Sequence, residues 1–218
     1  QRPFAAGSLS LLHGALLAPL LALAGLCLAW WAEPRFAAVL AAYYLLTLGY
    51  SLRFKRVAML DVMLLAMLYT LRIIGGTAVI GAALSFWLLA FSMFIFLSLA
   101  LLKRYVELSS MLAEGKISAA GRGYGVDDLP LLQSLGGSAG YLAVLVLALY
   151  INSPESIALY TRPQVLWLLC PLVLYWVSRT WVVAHRGGMD DDPVVFAVTD
   201  RVSQVVGALC AVIALSAI

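Results

Sequence analysis

The sequence predicts an all-α integral membrane protein of seven transmembrane helices, and three observations carry that prediction. Of 218 residues, 64% are hydrophobic and 11% charged, far from the roughly 45–50% apolar and 25% charged of soluble domains, and the mean hydropathy is +0.99. Uncharged runs recur at close to the about 20 residues that a helix needs to cross a bilayer, where the backbone must satisfy its own hydrogen bonds. Basic residues gather on alternate connections, as cytoplasmic loops do. A water-soluble globule, a disordered chain and a disulfide scaffold are excluded. A net charge of +3, scattered along the chain, gives no reason to expect nucleic acid as a partner.

The first run, Ser8–Ala32, is too long for a cleaved signal peptide and lacks a basic leader. Ahead of it, Gln1-Arg2-Pro3 reads as the middle of a polar loop without an initiating Met, so further residues are expected upstream. Phe36–Leu52 follows, short enough to borrow a turn from its flanks. Then come Val57–Gly81, Leu84–Leu102 with no charge at all, Leu129–Ile151, Val165–Ala184 and the short Val202–Ile218. Before the last, Asp192-Pro193 reads as a helix start, with Asp192 as N-cap and Pro193 at the first helical position. With the start placed inside, inner loops and helix ends hold eleven of the fourteen basic residues, leaving Arg35 and Arg162 outside and Arg72 deep in a helix. No repeat or low-complexity linker divides residues 1–218, which read as one membrane domain with its polar connections, about 50–57 and 103–129, on the cytoplasmic side. Cys27, Cys170 and Cys210 lie in apolar runs and behave as small hydrophobes. Six tryptophans, Trp30, Trp31 and Trp87 among them, read mostly as interface anchors.

Charges inside membrane helices are costly and therefore functional candidates. Asp61 and Arg72 occupy one predicted helix eleven residues apart, within about 20° of one face and about 16 Å apart along the axis. They either line an inward-open cavity, with Arg72 offered to an anionic ligand, or pair with neighbouring helices to fix packing. Where the fourth helix leaves the membrane, Lys103, Arg104 and Glu107 lie three and four apart and share a face if the helix continues. Such a face suits phosphate and a divalent cation, or it is a solvated helix end. Gly121-Arg122-Gly123-Tyr124-Gly125-Val126-Asp127-Asp128 is a glycine-rich loop able to fold over a charged substrate, with no P-loop pattern. Tyr50-Ser51-Leu52-Arg53-Phe54-Lys55-Arg56 sets three cations in four residues, a diphosphate grip or a plain inner anchor. His13 reads as a packed or interfacial histidine. Asp190-Asp191-Asp192 is read as structural before metal-binding.

Taken together these residues resemble the UbiA superfamily of intramembrane prenyltransferases, over essentially the whole chain. Arg2-Pro3-Phe4-Ala5-Ala6-Gly7 looks like the R-P-x-x-x-G that closes the loop after that family's first aspartate-rich motif. Tyr50 to Arg56 matches its connection between helices four and five, and the loop after Leu102 matches that between six and seven. The resemblance implies a nine-helix bundle, of which the seven spans would be helices three to nine, with the first two helices and the first motif absent. In place of the usual second D-x-x-x-D stands Lys103-Arg104-x-x-Glu107. This looks like the branch containing decaprenyl-phosphate phosphoribosyltransferase, as do Asp61, Arg72-x-x-Gly75 and the closing Asp200-Arg201-Val202-Ser203. It is also similar to UbiA-type proteins fused to an upstream phosphatase-like domain.

The resemblance implies a Mg²⁺-dependent transferase joining a polyprenyl lipid to a polar or phosphorylated small molecule, with phosphoribosyl transfer to polyprenyl phosphate as one form. Lys55, Arg56, Lys103 and Arg104 would hold phosphate groups. Glu107 and Asp61 would hold the metal or orient the acceptor. Arg72 would meet a phosphate deeper in the cavity, and Tyr50, Arg122 and Tyr124 would complete the substrate site. A bacterial inner membrane, possible self-association and an inactive state for residues 1–218 alone complete the expectation. The competing class is a transporter or channel using Asp61 and Arg72 in a substrate path, and a scaffold subunit is a third. Neither inverted repeats nor paired broken helices are visible in the sequence.

Overall fold

The structure, a computed structural model, describes residues 10–113, 115, 123–189 and 192–218. Among them are α1 (Leu11–Ala32), α2 (Pro34–Leu52), α3 (Leu60–Ile80), α4 (Phe86–Ala113), α5 (Leu129–Ile151), the short α6 (Pro154–Leu159), α7 (Leu169–His185), the short α8 (Pro193–Thr199) and α9 (Arg201–Ala217). Six of the helices, α5 and α7 counted with the 3-10 turns that lead into them, are long and apolar enough to cross a membrane. The pair α8 and α9, bent by 75°, makes a seventh if taken as one broken span. The all-α, seven-span reading therefore holds, with the last span broken rather than straight.

Local chemistry sets the boundaries. Ser10 caps α1. A single residue, Glu33, joins α1 to α2: its side chain accepts from the Arg35 N–H, and Pro34 follows at the first position of α2, where its missing N–H costs nothing. Gly81 ends α3 at φ +66°, a left-handed conformation that glycine adopts without strain. Asp192 caps α8 with Pro193 behind it, as the sequence indicates. Asp200 then caps α9 through the Ser203 N–H, so two starts eight residues apart produce the bend.

The spans alternate in direction, which gathers the ends of α2, α4 and α7 and the starts of α3, α5 and α9 at one end of the bundle. That end carries Arg53, Lys55, Arg56, Lys103, Arg104, Arg179, Arg186 and Arg201, whereas Arg35 and Arg162 lie at the other. The Arg162 N–H donates to Ala217 O at 3.0 Å, tying the end of α9 to the loop after α6 on the far side. At 28 residues, α4 is about 42 Å long and outreaches a hydrocarbon core of about 30 Å. Its last turns therefore stand clear of the membrane and carry Lys103 to Ala113.

The core lies between α3, α4, α5 and α7, around Val62, Leu101, Leu102, Leu108, Leu132 and Trp181. Gly136 and Gly140 lie one turn apart on α5, and a Cβ there would stand 2.1 Å from the Trp181 ring and 2.4 Å from Val177 Cγ1. Their missing side chains let α7 approach, the small-residue contact that membrane helices use in place of a hydrophobic driving force. Trp181 fills the space and donates to Ser98 Oγ at 3.2 Å, while that hydroxyl donates to Gly136 O at 2.7 Å. This tryptophan is a core element rather than an interface anchor. Leucines at the periphery, such as Leu16, Leu20, Leu45 and Leu215, face outward, as a lipid-solvated surface requires.

Candidate functional site

At the basic end of the bundle, α2, α3, α4 and the loop before α5 converge on one carboxylate. Asp61 occupies the first turn of α3 and is fully buried. Arg104 Nε donates to its Oδ2 at 2.6 Å. The Tyr124 hydroxyl donates to Oδ1 at 2.6 Å, and the Val62 N–H donates to the same oxygen at 2.7 Å. The guanidinium continues outward: Nη1 donates to Glu107 Oε2, and Nη2 donates to the Tyr50 hydroxyl at 3.2 Å. Four segments distant in sequence are thereby joined through one buried arginine. A buried charge is tolerated when it is paired and hydrogen-bonded, and here each of the three guanidinium nitrogens donates to a partner.

The same contact fastens the two connections at this end of the bundle to each other. Tyr124 also accepts from the Met59 N–H at 2.6 Å, and Met59 stands at φ +64°, a region that non-glycine residues rarely enter. A Cβ on Gly123 would lie 2.9 Å from both Ala58 N and Arg56 O, so only glycine lets the second loop lie this close to the first. Burial first, and then the bond to Asp61, push the Tyr124 phenol above its ordinary range. It therefore remains a donor at any working pH.

Arg53, Lys55 and Arg56 follow α2 in the segment that this clamp holds. Among the described residues none of the three makes an ion pair. Glu107 keeps 29% of its side chain exposed beyond the arginine. Lys103, on the neighbouring face of α4, turns away from this cluster: its Nζ pairs with Asp192 Oδ2 at 2.7 Å, and Asp192 Oδ1 accepts from the Val194 N–H. The expected common face of Lys103, Arg104 and Glu107 is thus split, because adjacent residues on a helix point about 100° apart. Arg104 and Glu107 look toward α3, and Lys103 looks toward α8. Burial works to raise the Asp192 carboxyl, but the Lys103 ammonium and the Val194 N–H outweigh it and hold it below the usual carboxylate range.

Arg72 stands apart. It is exposed on the outer surface of α3, donates from Nη2 to the Tyr43 hydroxyl at 2.8 Å, and lies over the rings of Tyr43 and Tyr69. Asp61, by contrast, is sealed between helices, so the two do not line one cavity among the described residues. The shared direction read from sequence does not settle which neighbour covers each residue. Arg122, Lys116, Asp190, Asp191 and the Arg2-Pro3-Phe4-Ala5-Ala6-Gly7 stretch fall outside the described residues.

The described residues do not by themselves make a magnesium site. No group of three His, Cys, Asp or Glu side chains is close enough to hold a metal ion among them, and Asp61 and Glu107 are both bonded to Arg104. Sequence reasoning missed three parts of the site: the positive φ of Met59, the need for glycine at 123 and the Lys103–Asp192 pair. Only the second carries a sequence signal, the alternating glycines around Tyr124.

Residues 1–216 match the UbiA prenyltransferase family. The chain is 38% identical over 211 residues to uncharacterized protein y4nM of Sinorhizobium fredii, covering 96% of this chain and 41% of that protein. It is 38% identical over 207 residues to nodulation protein NoeC of Azorhizobium caulinodans, covering 94% of this chain and 67% of the relative. It is 28% identical over 206 residues to decaprenyl-phosphate phosphoribosyltransferase of Mycolicibacterium smegmatis, covering 94% and 65% respectively. The chain thus spans between two fifths and two thirds of the length of these relatives.

Proposed function

The chain belongs to the UbiA prenyltransferase family, and from that premise we propose that it carries the phosphate-gripping end of a membrane transferase that joins a polyprenyl (di)phosphate to a polar or phosphorylated partner. The observation that carries the reading is the clamp at Tyr124. It holds the Lys55–Arg56 segment, whose cations make no ion pair among the described residues, beside the buried Asp61–Arg104 pair at one end of the bundle.

Both forms of the reaction expel pyrophosphate from a carbon that develops positive charge. Cations must neutralise the departing oxygens, and a dry cavity must keep water from the carbon. Lys55 and Arg56 serve as phosphate ligands, with Lys103 released to join them when its pair with Asp192 opens. Arg104, with Asp61, Glu107 and Tyr50 on its nitrogens, positions the others rather than meeting substrate first. Tyr50, Tyr124 and Glu107 border the space where the polar partner enters, and the lipid partner enters sideways from the bilayer. Magnesium, which family likeness implies, would add charge neutralisation when bound, and Asp61 and Glu107, the carboxylates nearest the cations, are already engaged with Arg104. The likeness to a decaprenyl-phosphate phosphoribosyltransferase favours a polyprenyl phosphate acceptor and a phosphoribosyl diphosphate donor. The charged end faces the cytoplasm of a bacterial inner membrane on this reading.

The test is reconstitution of the native polypeptide in proteoliposomes with Mg²⁺, radiolabelled polyprenyl phosphate and phosphoribosyl diphosphate. A labelled lipid product supports the transferase. Movement of either compound across the membrane without product overturns it in favour of a transporter, and neither product nor flux overturns it in favour of a scaffold.

A further inference from the structure

Among the described residues Met59 is the only non-glycine at positive φ. At φ +64° and ψ −39° it is the centre of a three-residue turn, in which the Leu60 N–H donates to Ala58 O at 2.8 Å. A γ-turn of this hand is rare and strained, and such a conformation persists only where its surroundings over-determine it. The strain sits two residues before the buried Asp61 and three after Arg56.

One side chain holds this turn. The Tyr124 hydroxyl accepts from the Met59 N–H at 2.6 Å and donates to Asp61 Oδ1 at 2.6 Å. The segment ahead of the turn has little packing of its own. From Ser51 to Ala58 every residue but the half-buried Lys55 is exposed, and the bonds from Arg56 N–H to Arg53 O and from Val57 N–H to Phe54 O lie within the segment. It leans on two glycines: the Phe54 ring would stand 2.9 Å from a Cβ on Gly49, and Ala58 N and Arg56 O as close to one on Gly123. A segment with so few buried contacts is of the kind that opens locally. Two short hydrogen bonds, one of them to a charged acceptor, are of the same order as backbone strain of this kind. The docked and released arrangements therefore lie close in free energy.

We propose that the Met59 turn is a strained hinge and that the Tyr124 hydroxyl is its catch. While Tyr124 is docked, residues 53–58 stand beside the Asp61–Arg104 pair with Lys55 and Arg56 in place. When it leaves, Met59 returns to negative φ and the segment turns away with both cations. A ligand shifts an equilibrium toward the state that it binds more tightly. A diphosphate on Lys55 and Arg56 therefore favours the docked arrangement, and its departure lets the strain open the segment. The coupling to ligand rests on the reading of Lys55 and Arg56 as phosphate ligands, whereas the hinge itself is tested without ligand.

The test is the binding of inorganic pyrophosphate to the native polypeptide in lipid nanodiscs, for the parent chain, for Tyr124→Phe, and for Tyr124→Phe combined with Met59→Gly or with Met59→Ala. Tyr124→Phe is expected to weaken binding about tenfold. Met59→Gly removes the Cβ that makes positive φ costly and is expected to recover about fivefold or more of that loss, the low end of such strain. Met59→Ala keeps the Cβ and recovers none. A tyrosine that merely supports Asp61 is not rescued by Met59→Gly, so no recovery, or equal recovery by Met59→Ala, overturns the proposal. Amide hydrogen exchange over residues 53–60 without ligand is expected to be faster in Tyr124→Phe than in the parent chain, and unchanged exchange also overturns it. If the parent chain binds no pyrophosphate, the reading of Lys55 and Arg56 fails, and hydrogen exchange alone decides on the hinge. If Tyr124→Phe does not fold, thermal unfolding of the two single variants at Met59 decides. Met59→Gly is expected to unfold about 2–4 °C above Met59→Ala, the reverse of their usual order, and an equal or lower temperature overturns the proposal.

Discussion

Arg104 and Asp61 are separated by 43 residues in sequence and by 2.6 Å in space, and both side chains are almost wholly withdrawn from solvent, at 2% and 0% exposure. Every other contact of the candidate site is arranged around that pair, and its removal has a predictable cost. Asp61→Asn leaves Arg104 short of one charge partner in a buried place, a loss of about 3–5 kcal/mol by analogy with other broken buried pairs. Thermal unfolding in detergent measures it. The double variant Asp61→Asn, Arg104→Gln is expected to lose less than the sum of the two singles, because neither partner is then left charged and alone.

Tyr124→Phe removes a donor to Asp61 and an acceptor for the Met59 N–H while keeping the ring. Hydrogen bonds to a charged group are worth about 1.5–3 kcal/mol, so a catalytic effect of about ten- to a hundredfold is expected if the clamp orders the phosphate ligands. Steady-state kinetics with varied donor separate the cases. A rise in KM for the phosphorylated donor fits a positioning role, and unchanged kinetics with lowered thermal stability fits a merely structural one.

Gly136→Ala places a methyl group 2.1 Å from the Trp181 ring and forces α5 and α7 apart, at a cost of about 1–3 kcal/mol typical of overpacking. Its neighbour Gly137 has open space at the same position, and Gly137→Ala is expected to be neutral or to gain up to about 1 kcal/mol from helix propensity. Equal unfolding temperatures for the two variants would remove the close α5–α7 contact from the explanation of the fold.

The Lys103–Asp192 pair gives α8 a dependence on acidity. The folded carboxyl titrates below its unfolded range near about 3.9. Its contribution is therefore complete above that value and fades as the pH falls through the folded one. Spin labels at Ser110 and Val195 should report one short distance at neutral pH and a broader distribution in strong acid, and Asp192→Asn should show the broad distribution throughout. A distance unchanged in acid and in the variant would mean that other contacts hold α8.

The helices were legible in the sequence because apolar runs of membrane length have few alternative explanations, and the loop arginines and lysines marked which helix ends gather together. The break between α8 and α9 was half legible: Asp192-Pro193 marks one start plainly, whereas the cap that Asp200 gives Ser203, which starts the second helix, shows only in the structure. The site was legible as residue types, not as pairs. Nothing in the spacing of residues 61, 104 and 124 says that they meet, because that contact forms only when α3, α4 and the loop before α5 pack together. Lys103 and Arg104 illustrate the limit. Their identity suggests a joint role, and 100° of helix rotation sends one to Asp192 and the other to Asp61.

Binding of inorganic pyrophosphate and of a polyprenyl diphosphate to the native protein in lipid nanodiscs, measured by isothermal titration at two salt concentrations, bears most directly on the claim that the basic end of the bundle grips a diphosphate. Replacing both Lys55 and Arg56 by glutamine is expected to weaken both ligands by about a hundredfold or more, at about 1.5–3 kcal/mol per charged contact, and to flatten the salt dependence while unfolding is unchanged. Affinity and salt dependence equal to those of the parent protein would contradict it.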